Sequence, residues 1–137
     1  CGATALRLSG IYGPDRLYLI NMAKDPDRWP VNDRWTNRIH RDDAARFIVF
    51  LCNKAVIGES IDSHYIVTDD KPVLLYEVLE WILNKFNKTL PATNKSNTID
   101  GKRLSNQRMR ELNFELHYPD YTMGYDEIIK GLQNKND

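Results

Sequence analysis

The sequence predicts an α/β fold, and three observations carry that expectation. Short β-rich runs at Thr4–Leu8, Asn37–His40 and His64–Val67 alternate with segments whose apolar residues recur at helical spacing. Clusters of turn formers separate the two kinds of segment. The chain has 137 residues, 42% of them hydrophobic and 28% charged, which suffices for a buried core without disulfides or metals. One domain spanning residues 1–137 is the expectation for this length.

Taken in order, Thr4–Leu8 reads as a strand, and the turn-rich stretch Gly10–Asp15 as the loop after it. Arg16–Ala23 is a candidate short helix. Asp25–Asn37, with Trp29, Pro30 and Trp35, reads as an irregular or crossing segment. Asn37–His40 is extended. Asp42 or Asp43 can cap the helix that follows, because a carboxylate accepts the free N–H groups of a first turn. Ala44, Ala45, Phe47, Ile48, Phe50 and Leu51 supply that helix's apolar face, and Gly58 ends the loop beyond it.

His64–Val67 is the next strand. Thr68–Pro72 forms a turn opening a helix that carries Leu75, Val78, Leu79, Ile82 and Phe86 to about residue 87. Asn87–Asn97 reads as a loop, Thr98–Asp100 as a short strand and Leu104–Leu112 as a helix ended by Asn113-Phe114. Tyr118–Tyr121 is a turn, and Thr122 or Asp126 opens a last helix from Tyr125 to about Leu132.

Composition excludes several functions. Lys+Arg and Asp+Glu are 19 each, so nothing in the net charge points to nucleic acid or an anionic membrane as partner. No apolar run has the length of a membrane span and no signal peptide is visible, so the expected location is cytoplasmic. Cys1 and Cys52 form no metal-binding or disulfide pattern, and His64 and His117 lack partners at metal spacing, so no metal site is expected. Asn87-Lys88-Thr89 and Asn94-Lys95-Ser96 match a glycosylation pattern that an Asn- and Lys-rich chain produces by chance. The chain starts at Cys1 with a core strand almost at once, which reads as a piece of something longer; an expression product freed of its tag is the alternative.

Four segments, in order, resemble the C-terminal portion of extended short-chain dehydrogenases/reductases of the NAD-dependent epimerase/dehydratase type. Leu6-Arg7-Leu8-Ser9-Gly10-Ile11-Tyr12-Gly13-Pro14 resembles the sixth sheet strand and its loop. Arg38-Ile39-His40-Arg41-Asp42-Asp43-Ala44 resembles the segment that opens a late helix, and Tyr65–Pro72 the stretch before the helix of the small substrate domain. Lys102 through Leu112-Asn113-Phe114 to Tyr118-Pro119 resembles the closing helix. Asp15 and Asn113 stand where the family has Gly, at turn positions that Asp and Asn tolerate. The resemblance implies the C-terminal part of a Rossmann-type NAD(P)-binding fold with a small α/β substrate lobe, within a nucleotide-sugar epimerase, dehydratase or reductase.

The chemistry of that family lies elsewhere than in these residues. There is no Gly-rich turn between a strand and a helix to cradle a pyrophosphate, and no Tyr is followed four residues later by Lys. No catalytic residue is therefore expected here, and no cofactor binding by this chain alone; NAD or NADP belongs to an N-terminal half, which is the expected partner. The resemblance implies that Ser9 and Gly10, at a strand end, border the cofactor, with a simple turn as the equal alternative. Arg16 is a candidate contact to a nucleotide-sugar-like substrate, a guanidinium being suited to phosphate, against a solvated loop role, and the resemblance implies that Arg38, where the family often has an Arg, touches the same nucleotide. His40, Asp42, Asp43, Asp69 and Asp70 read as loop, cap and turn residues, and Arg103, Arg108 and Arg110 as a solvated helix face. An orphan edge at Ala3–Leu8 predicts self-association of the fragment. A non-catalytic NAD(P)-sensing or protein-interaction module is the competing reading.

Overall fold

The computed structural model describes residues 2–90 and 98–137. Cys1, Asn94-Lys95-Ser96 and the part of the expected loop from Pro91 to Asn97 lie outside the described residues. Strands β1 (Ala5–Leu8) and β2 (Gly10–Tyr12) lead to helix α1 (Tyr18–Ala23), a 3-10 turn at Pro26–Arg28, β3 (Asp33–Thr36) and β4 (Arg38–His40). Helix α2 (Arg41–Val56), β5 (His64–Val67), β6 (Val73–Leu74), α3 (Leu75–Lys85), β7 (Ile99–Asp100), α4 (Gln107–Glu111) and α5 (Tyr121–Asn134) follow. The α/β class is as the sequence predicts.

Three small sheets organise these strands. β1 pairs in parallel with β5, from Ala5 opposite His64 to Leu8 opposite Val67. β2 pairs in parallel with β4, and β3 lies between β6, antiparallel, and β7, parallel. Ser9 is where the chain changes sheets. Its N–H donates to Val67 O at 3.1 Å, and the next N–H, of Gly10, donates to Asn37 O at 3.2 Å. The expected loop at Gly10–Asp15 is thus strand for its first three residues, because β4 supplies ladder partners that the local turn formers do not disclose.

Two apolar cores flank the β2–β4 pair. Tyr12 belongs to the core built by α1, α3 and α5; Ile39 belongs to the one built by α2, β4, β5 and α4. Leu75, Val78, Leu79, Ile82 and Leu83 form one buried stripe of α3. Burial of each is worth about 1.5–3 kcal/mol.

All three long-helix starts differ from expectation. Helix α3 begins at Leu75 and not near Pro72, because Val73–Leu74 first pair with β3 as β6. Helix α2 is capped by His40, whose Nδ1 accepts the Asp42 N–H at 3.1 Å, not by Asp42 or Asp43. β4 runs directly into α2, so the extended cap position falls on its last residue. Helix α5 begins at Tyr121, four residues early, because Asp120 accepts the Thr122 N–H at 2.8 Å. Asn113 takes φ of 59°, the left-handed conformation of a helix-ending residue, while Asp15 does not.

Some apolar surface has no cover. Among the described residues β1 pairs only with β5, and Leu8 is exposed. The outer face of α2 shows Ala45, Ile48, Val49, Cys52 and Val56 to solvent. Among the described residues no helix is long and apolar enough to cross a membrane.

Candidate functional site

A cleft of about 510 Å³ opens where β2, the loop after it, β3, β4 and the starts of α1 and α3 meet α5. Its size suits a small ligand. Gly10, Arg16, Arg34 and Arg38 line it, with Tyr12 and Tyr125 on the core side. Gly10 suits the close approach of β4: a Cβ there would lie 3.2 Å from Asn37 O, a tight contact. Arg16 is aimed by a tight turn in which its N–H donates to Gly13 O at 3.0 Å. Asp15 also lines the cleft, but Arg41 Nη1 holds its carboxylate at 2.7 Å. Among the described residues neither Arg16 nor Arg34 is ion-paired, so the cleft carries an excess of positive charge. That arrangement favours an anion, and a planar guanidinium favours phosphate or carboxylate oxygens in particular.

Arg38 is the unusual member. It is 3% exposed, and its Nη2 donates to Thr36 Oγ at 2.6 Å, while its Nη1 has no hydrogen-bond partner. Its guanidinium lies 5.6 Å from the Tyr121 ring centre, a cation–π distance that replaces part of the lost hydration. Behind it sit two further buried polar groups without complete partners. Asp69, 1% exposed, accepts the Lys71 N–H on Oδ1 at 3.0 Å but has nothing on Oδ2. Tyr12, 3% exposed, has no partner for its hydroxyl. Burial pushes the Asp69 carboxyl up to about 7, opposed by the Lys71 hydrogen bond and the Arg38 charge. Burial likewise raises the Tyr12 phenol strongly, helped by the Asp69 charge, and lifts Tyr125 to about 12.

Of the sequence-predicted residues, Gly10, Arg16 and Arg38 meet at this cleft; Ser9 does not line it. The Ser9 hydroxyl turns the other way, toward Val67 O at 3.2 Å and Thr68 Oγ at 3.0 Å, and ties β1 to the end of β5. His40 lies in the core, stacked on Tyr118 at 3.8 Å between ring centres and edge-on to Tyr12 at 5.1 Å. Burial lowers its pKa, so the imidazole is held neutral as a cap acceptor. Asp43 is not a cap: it accepts the N–H groups of His117 and Tyr118 at 3.0 and 2.8 Å and thereby anchors the segment before α5.

The three late arginines are exposed, as expected, but do not form one helix face. Arg103 precedes α4 and stacks on Trp35 at 4.9 Å, Arg108 contacts His64, and Arg110 approaches Asp70 at 3.7 Å. A smaller hollow of about 300 Å³ beside α4 offers less chemistry, because its buried Asn106 is already spent on Thr68 O and Asp70. No group of His, Cys, Asp and Glu among the described residues could hold a metal.

Sequence reasoning missed Tyr12 and Asp69 as members of the site. The available signal was their position: Tyr12 ends the strand that pairs with Arg38–His40, and Asp69 follows the neighbouring β5.

Fold and cleft together define a mixed α/β chain with an arginine-lined cleft. Solved structures resemble it, two of them as follows. A Methylobacillus flagellatus protein, provisionally named an NAD-dependent epimerase/dehydratase, shares 39% identity over 95% of this chain and 47% of its own, with a TM-score of 0.87. A conserved Silicibacter pomeroyi DSS protein of unknown function matches at 24% identity over 92% of this chain and 48% of its own, with a TM-score of 0.66, a likeness of fold alone. The chain therefore spans about half the length of these solved proteins. No family model and no curated protein matches it.

Proposed function

We propose that this chain is the C-terminal, substrate-side part of an extended short-chain dehydrogenase/reductase of the NAD-dependent epimerase/dehydratase type. The observation that carries the reading is the 39% identity spread over 95% of the chain. In this reading the fold is the closing portion of a Rossmann-type architecture, residues 1–137 form one domain, and the protein works in the cytoplasm. The cleft takes the phosphate-bearing part of a nucleotide-sugar-like molecule, with Arg16 and Arg38 facing its charge. Guanidinium–phosphate contacts give both affinity and orientation.

The residues present do not fit NAD or NADP by themselves. They hold no Gly-rich strand–turn–helix and no Tyr-x-x-x-Lys, and the Ser9 hydroxyl is engaged. The cofactor therefore belongs to an N-terminal half, which is also the intended cover for the β1 edge and the α2 outer face. Without that half, the same surfaces favour self-association of the chain.

Titration of the isotope-labelled chain with UDP-glucose, followed by NMR, tests the cleft. Amide shifts should change at Gly10, Arg16 and Arg38, and Arg16→Ala, an exposed site, should weaken binding about tenfold, the effect of losing one charged hydrogen bond. Shifts elsewhere, or full affinity in Arg16→Ala, would defeat the proposal. The competing reading, an NAD(P)-sensing or protein-interaction module, draws on the missing catalytic pair. Intact mass and peptide mapping of the cellular product separate the two: an upstream Gly-rich turn with Tyr-x-x-x-Lys makes the parent an enzyme, and loss of the pair makes it a sensor.

A further inference from the structure

The cleft arginine and the carboxylate behind it form an unusual pair. Arg38 and Asp69 are both almost fully buried, and they are fixed to each other through the backbone: Asp69 N–H donates to Arg38 O at 2.8 Å. Thr68 Oγ donates to the same carbonyl at 3.2 Å, so the turn after β5 is clamped onto β4. Yet the side chains make no direct ion pair, and Arg38 Nη1, Asp69 Oδ2 and Tyr12 Oη all lack partners. Buried polar atoms without partners are costly, and a cluster of three around one charge is seldom retained for stability. Apolar side chains would fill this space at lower cost.

We infer that Asp69 is a positioning residue for Arg38, and that an anion entering the cleft is bound together with a proton taken up by Asp69. The inference rests on the cleft being an anion site. The electrostatics follow from the surroundings of Asp69. On the stabilising side of its carboxylate stand Arg38 from β4 and the Lys71 N–H; against it stand burial, Asp120 at the start of α5 and the adjacent Asp70. Tyr12 from β2 couples to the same carboxylate. Arg38 is thus a charged side chain whose field stabilises the Asp69 carboxylate. An anion on the cleft side of Arg38 cancels part of that field, so the carboxylate gains proton affinity. Reciprocity then requires a protonated Asp69 to strengthen anion binding, because the guanidinium no longer serves two negative charges. Affinity falls as pH rises through the neutral range, toward tenfold per pH unit where one full proton is taken up per anion.

The probe is inorganic sulfate, whose charge is constant between pH 5.5 and 8.5. The carboxyl carbons of ¹³C-aspartate-labelled 137-residue chain are followed by NMR against pH, with and without sulfate, and Asp69→Asn assigns the resonance. Asn keeps the acceptor for the Lys71 N–H, and the native titration needs no variant should Asp69→Asn fail to fold. The expected result is an Asp69 midpoint in the neutral range that moves upward when sulfate perturbs Arg16 and Arg38, and sulfate affinity that declines from pH 6 to pH 8 only in the native chain. An Asp69 midpoint unmoved by bound sulfate, or the same pH-dependent affinity in Asp69→Asn, overturns the proton linkage while leaving the cleft an anion site. Sulfate that perturbs no cleft residue at pH 6 overturns both.

Discussion

Replacing Asp43 with Ala should destabilise the chain by about 3–5 kcal/mol, and little of that loss should come from its ion pair. The Asp43 side chain is fully buried and the Arg46 side chain is 36% exposed, with 2.7 Å between Nη1 and Oδ1. A pair so open to water on one side is worth at most about 1 kcal/mol. The larger part lies in the two N–H groups of His117 and Tyr118, which the same carboxylate accepts. Hydrogen bonds to a charged group are worth about 1.5–3 kcal/mol each, and removing the acceptor leaves the donors unsatisfied. For a chain of this size the predicted loss lowers the melting temperature by about 10–15 °C. Urea unfolding of Asp43→Ala, Arg46→Ala and the double variant apportions the effect. Arg46→Ala should cost about 1 kcal/mol or less, and the double variant should cost little more than Asp43→Ala. Equal losses in the two single variants would show that the ion pair dominates and that the anchoring role assigned to Asp43 is mistaken.

Three further outcomes follow from the same structure. Gly124→Ala should destabilise by about 1–3 kcal/mol, since a Cβ on α5 would collide with the Tyr12 phenol ring; thermal melts of Gly124→Ala and the double variant with Tyr12→Phe check it, the double variant remaining impaired because ring carbons also clash. Asp69→Asn should stabilise the chain by about 1–3 kcal/mol at pH 8.5 and not at pH 4. An acid whose pKa rises from 3.8 to about 7 on folding favours the native state below 3.8, and that contribution is lost as pH rises through 7; at about 1.4 kcal/mol per tenfold change in proton affinity the native cost is about 4 kcal/mol, part of which Asn forfeits by removing the charge near Arg38. His40 acts with the opposite sign. Its pKa is lowered by burial, so the unfolded chain binds the proton first and stability is lost as pH falls below 6.5; in His40→Asn, which keeps a cap acceptor, the acid-side decline in melting temperature should be shallower.

The elements legible in the sequence are those whose signal is local. The apolar stripe of α3 and the β-rich run at β5 need no distant partner to be read. β3 was not legible, because Asp33–Thr36 carries one apolar residue and owes its strand geometry to Val73–Leu74 on one side and Ile99–Asp100 on the other. The same holds for β2, read as loop from Gly10 and Gly13, which becomes strand once β4 lies beside it. The helix starts were misplaced for a related reason. Asp42 and Asp43 both suit a cap by type, but β4 ends on His40, and the carboxylate of Asp43 is drawn inward by backbone donors more than seventy residues away.

For the site, residue type and position carry unequal information. Arg16 is a candidate in sequence because a guanidinium in a loop suits phosphate, and Arg38 because the family resemblance implies a nucleotide contact there; both line the cleft. Asp69 does not stand out, since an Asp before Lys71-Pro72 is an ordinary turn residue, and its Oδ1 does make that turn's hydrogen bond. What sets it apart is the second oxygen, buried and without a partner near a buried guanidinium, and that is a property of the packing of α5 and β2 against β4. A turn residue serves local geometry with one carboxylate oxygen; where the other is held in the core beside a cleft arginine, stability alone gives no reason for Asp in place of Asn. Comparing anion affinity and stability in the Asp and Asn forms at the same pH separates those two demands: a site under functional constraint gains stability and loses pH-dependent binding in one substitution.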